Sequence, residues 1–427
     1  MSFAFNILIG LIALCPAFAV LSTGEAILFQ MLLVAVALMT TAVDARHLDA
    51  LQLQRAVAGA WWLLLLPPAW LALQLLPVPT LIAHPVWNSA NEALGGRWFG
   101  YITVDRGSTA FALVAWLSSL GMLITTIAVG RERRRAELIL LGCGLVTTLL
   151  AVATAIVDYA GWFAGLRSIG SAPAADIAGL GLALDLAILI LAFERRETRH
   201  QAAAPFLTIG IAAAIGLALN AAVVALAGAV SAVAVASVGA GLLVLLIVIR
   251  RLDLGRWTAM TLAGAFVAAV LILVGWLYNS GTTGSVLPRF APTAAATAAP
   301  IETMLAEARW LGSGAGSFAA VARLFGDSQA VGDLRPPSSA IALVVEDGWI
   351  GALGALLVSL VVQTKLVLAA LRRGRDWFYP GAAAAAVSAL TMGALVGTSA
   401  DDPAVGTIAT IIIGLGLTQS FSQSARS

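Results

Sequence analysis

Residues 339–371 read SAIALVVEDGWIGALGALLVSLVVQTKLVLAAL. As one α-helix this stretch would be about 50 Å long, against a hydrocarbon core of about 30 Å. It is therefore too long for one straight span. Gly348 and Gly351 mark the joint, directly after the acidic pair Glu346-Asp347. The first part, Ser339 to Glu346, is expected outside the hydrocarbon or re-entrant, and the remainder crosses. A Leu-, Val- and Ala-rich run of this length satisfies its backbone in a membrane only as a helix.

Working outward, the same kind of segment recurs along nearly the whole chain. Twelve spans are predicted, at 3–22, 25–43, 56–80, 108–130, 138–161, 174–193, 203–225, 229–249, 257–278, 339–371, 377–398 and 403–421. The fold class is thus all-α, a polytopic membrane protein with residues 1–427 as a single integral membrane domain. Composition agrees: 60% of residues are hydrophobic, 11% are charged and the mean hydropathy is +0.97, where a soluble chain carries about 25% charge. The ten-residue alternation of a membrane β-barrel is absent. A net charge of +2 gives no footprint for nucleic acid. Cys15 and Cys143 both fall inside predicted spans, and the histidines are His47, His84 and His200. That leaves no disulfide framework and no Cys- or His-rich metal set, so neither a metal nor a cofactor is expected.

Most of the 24 basic residues fall on one side of the twelve-span topology if the N-terminus is cytoplasmic. The positive-inside rule then places both termini in the cytoplasm. The runs Arg131–Arg135, Glu194–Arg199 and Arg250–Arg251 are read first as topology signals. Pro16-Ala17-Phe18-Ala19 has a faint likeness to a cleavage site, but no basic segment precedes it and a second span follows at once, so retention is expected. No internal repeat is visible, which weakens an inverted-repeat transporter reading.

Two segments leave the membrane on the opposite, external side. The smaller, 83–107, holds His84, Trp87, Arg97, Trp98, Phe99 and Tyr101. Its aromatic residues suit an interfacial belt, with substrate contact the sharper alternative. The larger, 279–338, carries Arg289, Arg309, Arg323 and Arg335. Within it Pro300 is expected to open an amphipathic helix with Ile301, Met304, Leu305 and Ala308 on one face, lying on the membrane and roofing a cavity. Arg289 after Pro288, and Arg335 before Pro336-Pro337, can hold a phosphate or pyrophosphate by paired N–H donors; a lipid headgroup is the plainer partner. Arg309 and Arg323 read as solvated faces. Gly312-Ser313-Gly314-Ala315-Gly316 follows a helix and not a strand, so it reads as a tight turn and not a dinucleotide loop. Ser338 or Ser339 caps the next helix. Glu346 and Asp347 can supply a base or can hydrogen-bond across a broken helix. Asp401 and Asp402 carry the same ambiguity, and Asp185, deep in the sixth span, needs a partner.

The order of these features resembles the O-antigen ligase and polymerase family of bacterial envelope glycosyltransferases. Arg289 follows a span, as in that family. Trp310-Leu311-Gly312-Ser313-Gly314-Ala315-Gly316-Ser317-Phe318 follows its glycine-rich turn, and Glu346-Asp347-Gly348-Trp349-Ile350-Gly351 its Glu-x-Gly segment. Leu73-Gln74-Leu75-Leu76-Pro77-Val78-Pro79, Ile102-Thr103-Val104-Asp105 and Thr109 are similar to its third span and first large loop. The family's His should fall near Pro337, its Asn near Ser338 and a second Arg within Ala227–Ser231; none is present. The resemblance implies a bacterial inner-membrane protein of lipopolysaccharide or exopolysaccharide biosynthesis. It would transfer glycan from a polyprenyl-diphosphate-linked donor to a glycan or lipid acceptor, among membrane lipids and polysaccharide-assembly partner proteins. Arg289 and Arg335 would hold the pyrophosphate, and Glu346 or His84 would act on the acceptor hydroxyl. Two alternatives stand beside it: a catalytically silent scaffold that binds the glycan lipid, and a transporter or lipid flippase.

Overall fold

The structure is a computed structural model that describes residues 2–18, 23–44, 61–79, 81–93, 95, 100–160, 174–198, 203–227, 230–252, 256–280, 295–325 and 336–421. In chain order its helices are α1 (Ser2–Phe18), α2 (Thr23–Asp44), α3 (Trp61–Leu75), α4 (Pro85–Ala93), α5 (Arg106–Val129), α6 (Arg133–Ala160), α7 (Ala174–Thr198) and α8 (Ala203–Ala227). They continue as α9 (Val230–Arg251), α10 (Arg256–Ser280), α11 (Ala295–Ala306), α12 (Phe318–Phe325), α13 (Ser339–Arg372), α14 (Phe378–Val396) and α15 (Pro403–Phe421). The strands β1 (Pro77–Val78) and β2 (Gly100–Tyr101) pair antiparallel, Pro77 against Tyr101. Each predicted span overlaps one of these helices. Among the described residues nine helices are long and apolar enough to cross a membrane, and Phe3–Phe18, Leu64–Leu75 and Met260–Val270 are shorter apolar helices. The protein is an all-α, multi-pass membrane protein.

The chain divides into two compact units. The first comprises Met1–Gly59, Ser118–Leu277 and Ser359–Ser427. At its centre α7 packs against α6, α8, α9 and α14. Small residues make that packing close, as expected where lipid supplies no hydrophobic drive between helices. Ala382 to Ala386 are all buried, and a Cβ on Gly179 would sit 2.8 Å from Val235. Facing outward, Leu207, Ile211, Ile215 and Leu219 recur every fourth residue of α8 and are all exposed, which makes an apolar stripe suited to lipid. The arginine runs do more than set topology. Arg195 bridges Asp376 at 3.0 Å and Glu137 at 2.5 Å, and Arg133 reaches Asp376 at 3.1 Å. Arg250 donates to the carbonyls of Ala370 and Gly374, both at 2.9 Å, and lies over the Trp377 ring. Together they pin the turn between α13 and α14.

The second unit comprises Ala60–Leu117 and Tyr278–Val358. Three sequence expectations change here. The third span ends at Leu75, not residue 80, because Pro77–Val78 pairs as a strand. Residue 300 does not open its helix: α11 begins at Ala295 and Pro300 lies inside it. The apolar face of α11 is also not laid bare for a membrane surface. Ile301, Met304 and Leu305 are buried with Phe318, Val321 and Ala322 of α12 and with Ile341, Ala342 and Val345 of α13. Ala308 lies beyond the helix. The expected joint in the tenth span is present, since α13 is interrupted at Gly348, with φ 72° and ψ 178°.

Candidate functional site

The break in α13 and the glycine-rich turn are built together, both within the second unit. Gly312, Gly314 and Gly316 all have positive φ, at 71°, 102° and 74°. Only glycine adopts such backbone at low cost. Space forbids a side chain as well. A Cβ on Gly312 would run into the Glu346 carbonyl and the Gly348 nitrogen, and one on Gly314 would run into Thr103. The glycines therefore allow two irregular backbones to touch. The Glu346 carbonyl accepts from Ser313 N at 3.0 Å and Gly314 N at 2.8 Å, and the Trp310 carbonyl accepts from Ile350 N at 3.2 Å. Ser313 Oγ donates to the Val345 carbonyl at 2.7 Å.

Side chains complete this knot. The Glu346 carboxylate accepts from Gly316 N at 2.8 Å and from Phe318 N at 3.0 Å, so it caps the start of α12. Gln74 of α3 is fully buried; its amide N–H donates to Asp347 Oδ1 at 3.0 Å while its oxygen accepts from Ala315 N at 3.1 Å. Thr109 Oγ1 donates to the Ala315 carbonyl at 2.9 Å and lies 2.7 Å from Thr103 Oγ1. Val104 N donates to the Ser313 carbonyl at 2.7 Å. Asp105 caps α5 by accepting from Gly107 N, Ser108 N and Ser108 Oγ, and the bonds from Ser108 and Gly107 hold its carboxyl below the usual carboxylate range.

Beside the knot stands a second group of polar residues. Arg309, just before the turn, donates to the Ala83 carbonyl at 3.0 Å. The neighbouring His84 is fixed by its own N–H to the Tyr101 carbonyl at 2.8 Å. Its Nδ1 faces Val86 N at 3.4 Å, which leaves the ring proton on Nε2. Burial, then the charge of Arg309, pushes the His84 pKa down to about 4, so the imidazole is neutral at pH 7. Trp87 donates to the Thr103 carbonyl at 2.9 Å and packs edge-on against Tyr101, whose ring also carries Arg106. Trp310 and Leu81, which flank Arg309 and Ala83 in sequence, are 69% and 90% exposed. A neutral imidazole donor and a cation beside exposed apolar side chains form a rim suited to an amphipathic anion.

The two predicted pyrophosphate residues, Arg289 and Arg335, lie outside the described residues, as do Arg97, Trp98 and Phe99. Glu346 and His84 are both in the second unit, and Glu346 takes the hydrogen-bonding role that was one of the two read for it. Glu346 braces backbone N–H groups, and His84 is a poor base at neutral pH. Arg309 is half-buried and bonded, not merely solvated. Ser338 caps α13 through Ile341 N at 3.3 Å, and Asp402 caps α15 through Ala404 N and Val405 N. Sequence reasoning quoted Gln74 only as part of Leu73–Pro79 and gave it no role of its own; a lone amide in the apolar span Trp61–Leu75 was the signal available. Compared with known proteins, the chain matches no family model and no curated sequence.

Proposed function

We propose that the protein is a bacterial inner-membrane transferase of the O-antigen ligase or polymerase type, acting on a polyprenyl-diphosphate-linked glycan at the periplasmic face with both termini in the cytoplasm. One observation carries this reading. The segments that resemble the family are far apart in sequence, yet Gln74, Thr103–Thr109, Gly312–Phe318 and Glu346–Gly348 are joined by hydrogen bonds into one knot. A shared sequence order with no shared purpose would not require them to meet. Diphosphate is a good leaving group, so the protein's main tasks are to place cations on it and to orient the acceptor. Arg289 and Arg335 are assigned to the diphosphate. His84, as a neutral Nε2–H donor, is better suited to orienting a hydroxyl or an oxyanion than to removing a proton.

A second reading is supported by the same knot. Both oxygens of the Glu346 carboxylate are engaged by backbone, and Ser338 caps a helix where the family places its Asn. A silent member would keep this brace, bind the glycan lipid and transfer nothing. Purified protein with a defined polyprenyl-diphosphate glycan donor and acceptor separates the readings. Turnover that is lost in Arg289→Ala and Arg335→Ala supports transfer. Donor binding without turnover supports the silent scaffold. Neither binding nor turnover, with unchanged surface polysaccharide in a strain lacking the protein, moves the weight to a transporter or flippase.

A further inference from the structure

The first unit holds a polar cluster that the transferase reading does not use. Asp185 lies near the middle of α7 and is 3% exposed. Its Oδ2 accepts from Thr148 Oγ1 of α6 at 3.0 Å and from Asn220 Nδ2 of α8 at 2.9 Å. Asn220 Nδ2 also donates to Thr148 Oγ1 at 2.9 Å. Every donor of the triad is thereby directed at Asp185 Oδ2 or at Thr148, and the triad has none left for Asp185 Oδ1. Asn220 is fully buried, and its Oδ1 has no hydrogen-bond partner among the described residues. Two oxygens of the triad thus receive no donor from within it, and one of them belongs to a carboxyl group. The site is made by glycines: a Cβ on Gly216 would lie 2.5 Å from Asp185 Oδ2, and one on Gly181 2.7 Å from Asn220 Oδ1.

Among the described residues no cationic side chain neutralises a carboxylate here. On α7 itself Asp176 is nine residues before Asp185, and Glu194, Arg195 and Arg196 are nine or more after it, about 13 Å or more along the axis. On α6 the titratable group nearest in sequence to Thr148 is Cys143; Arg133, Arg134, Arg135 and Glu137 stand at its start, and the side chains of Asp158 and Tyr159 lie outside the described residues. α8 carries no titratable residue, α9 only Arg250 and Arg251 at its end, and α14 only Tyr379. A bare carboxylate among neutral dipoles at this depth is costly, and a proton removes that cost with a single donor. A divalent ion fits worse, since it takes six or more oxygens and the triad's side chains supply the two of Asp185 and one each from Asn220 and Thr148.

We propose that Asp185, Asn220 and Thr148 form a proton-binding site inside the bundle, with Asp185 held as the neutral acid at neutral pH. The site is independent of the transferase reading. The test is infrared difference spectroscopy on the full-length protein in lipid nanodiscs at pH 7, in sodium-free buffer and then with added sodium chloride. Wild type is expected to show the C=O stretch of a protonated carboxyl group that is missing in Asp185→Asn. In Thr148→Val the same band should move to higher frequency, because the carbonyl oxygen loses one donor. That second variant keeps the side-chain shape and does not depend on Asp185→Asn folding. A wild-type spectrum with no such band means that Asp185 is ionised and overturns the proposal. A band that disappears when sodium is added assigns the site to a metal cation and also overturns it.

Discussion

The knot of the second unit and the polar triad of the first solve the same problem in opposite ways. In the knot the backbone is irregular, with the glycine turn on one side and a broken helix on the other, so side chains serve the backbone: Glu346 and Gln74 both reach main-chain N–H groups. In the triad the helices are unbroken and their backbones satisfy themselves, so Thr148, Asp185 and Asn220 bond to one another. A buried polar residue in this protein therefore takes its role from the regularity of the backbone around it. Irregular backbone that is buried must have its N–H and C=O groups satisfied by something other than a helix or a sheet.

The sharpest way to break this contrast is Gly312→Ala. Left-handed backbone costs a residue with a Cβ about 1–2 kcal/mol, and the new atom meets the Glu346 carbonyl, for which overpacking adds about 1–3 kcal/mol. A large fall in the thermal midpoint of purified protein is expected, with the second unit becoming accessible to protease first. A wild-type melting curve would mean that the two backbones are not in contact. Next is Gln74→Ala, which strands Ala315 N and Asp347 at about 1–3 kcal/mol for each buried group left unsatisfied. Equal losses in Gln74→Ala and in the shape-conserving Gln74→Leu would trace the effect to the hydrogen bonds and not to a cavity.

Glu346→Gln sharpens the comparison further. It keeps one acceptor for Gly316 N or Phe318 N and loses the other, at about 1–2 kcal/mol. As a brace it should leave turnover within a few-fold once the protein is folded; a loss of a hundredfold or more at unchanged melting temperature would return Glu346 to the role of base. A smaller effect is expected from His84. Its folded pKa of about 4 lies below the ordinary 6.5, so the unfolded chain binds the proton more readily between those values. The contribution is whole above pH 6.5 and is lost as pH falls toward 4. Melting followed across that window should slope less in His84→Gln, and identical slopes would mean that the His84 ring is not desolvated in the folded protein. Smallest is Gly406→Ala in α15, where a Cβ meets nothing within 4 Å. Helix propensity predicts a gain of up to about 1 kcal/mol, and a clear loss there would show that the first unit is as intolerant as the knot.

The sequence was legible wherever one physical rule acted alone. Hydrocarbon thickness and backbone satisfaction gave the apolar helices, and chain length with glycine placement gave the interruption at Gly348. Pro300 misled because a proline marks a helix start only when no turn precedes it, and Ala295–Ala299 supply one. The role of Glu346 was legible only as one of two, a base or a brace across the broken helix, because its partners Gly316 N and Phe318 N are about thirty residues away in sequence. Gln74 was hidden for a related reason: its partners, Ala315 and Asp347, lie 241 and 273 residues away.

Sequence by itself determined that this is a multi-pass helical membrane protein, since the free energy of burying backbone in lipid depends on local composition. Only the tertiary structure decided which polar residues meet, because a hydrogen bond depends on positions within about 3 Å that chain separation does not encode. That is why the apolar spans could be read one by one, while Gln74, Glu346 and the Asp185 triad became intelligible only once their partners stood beside them.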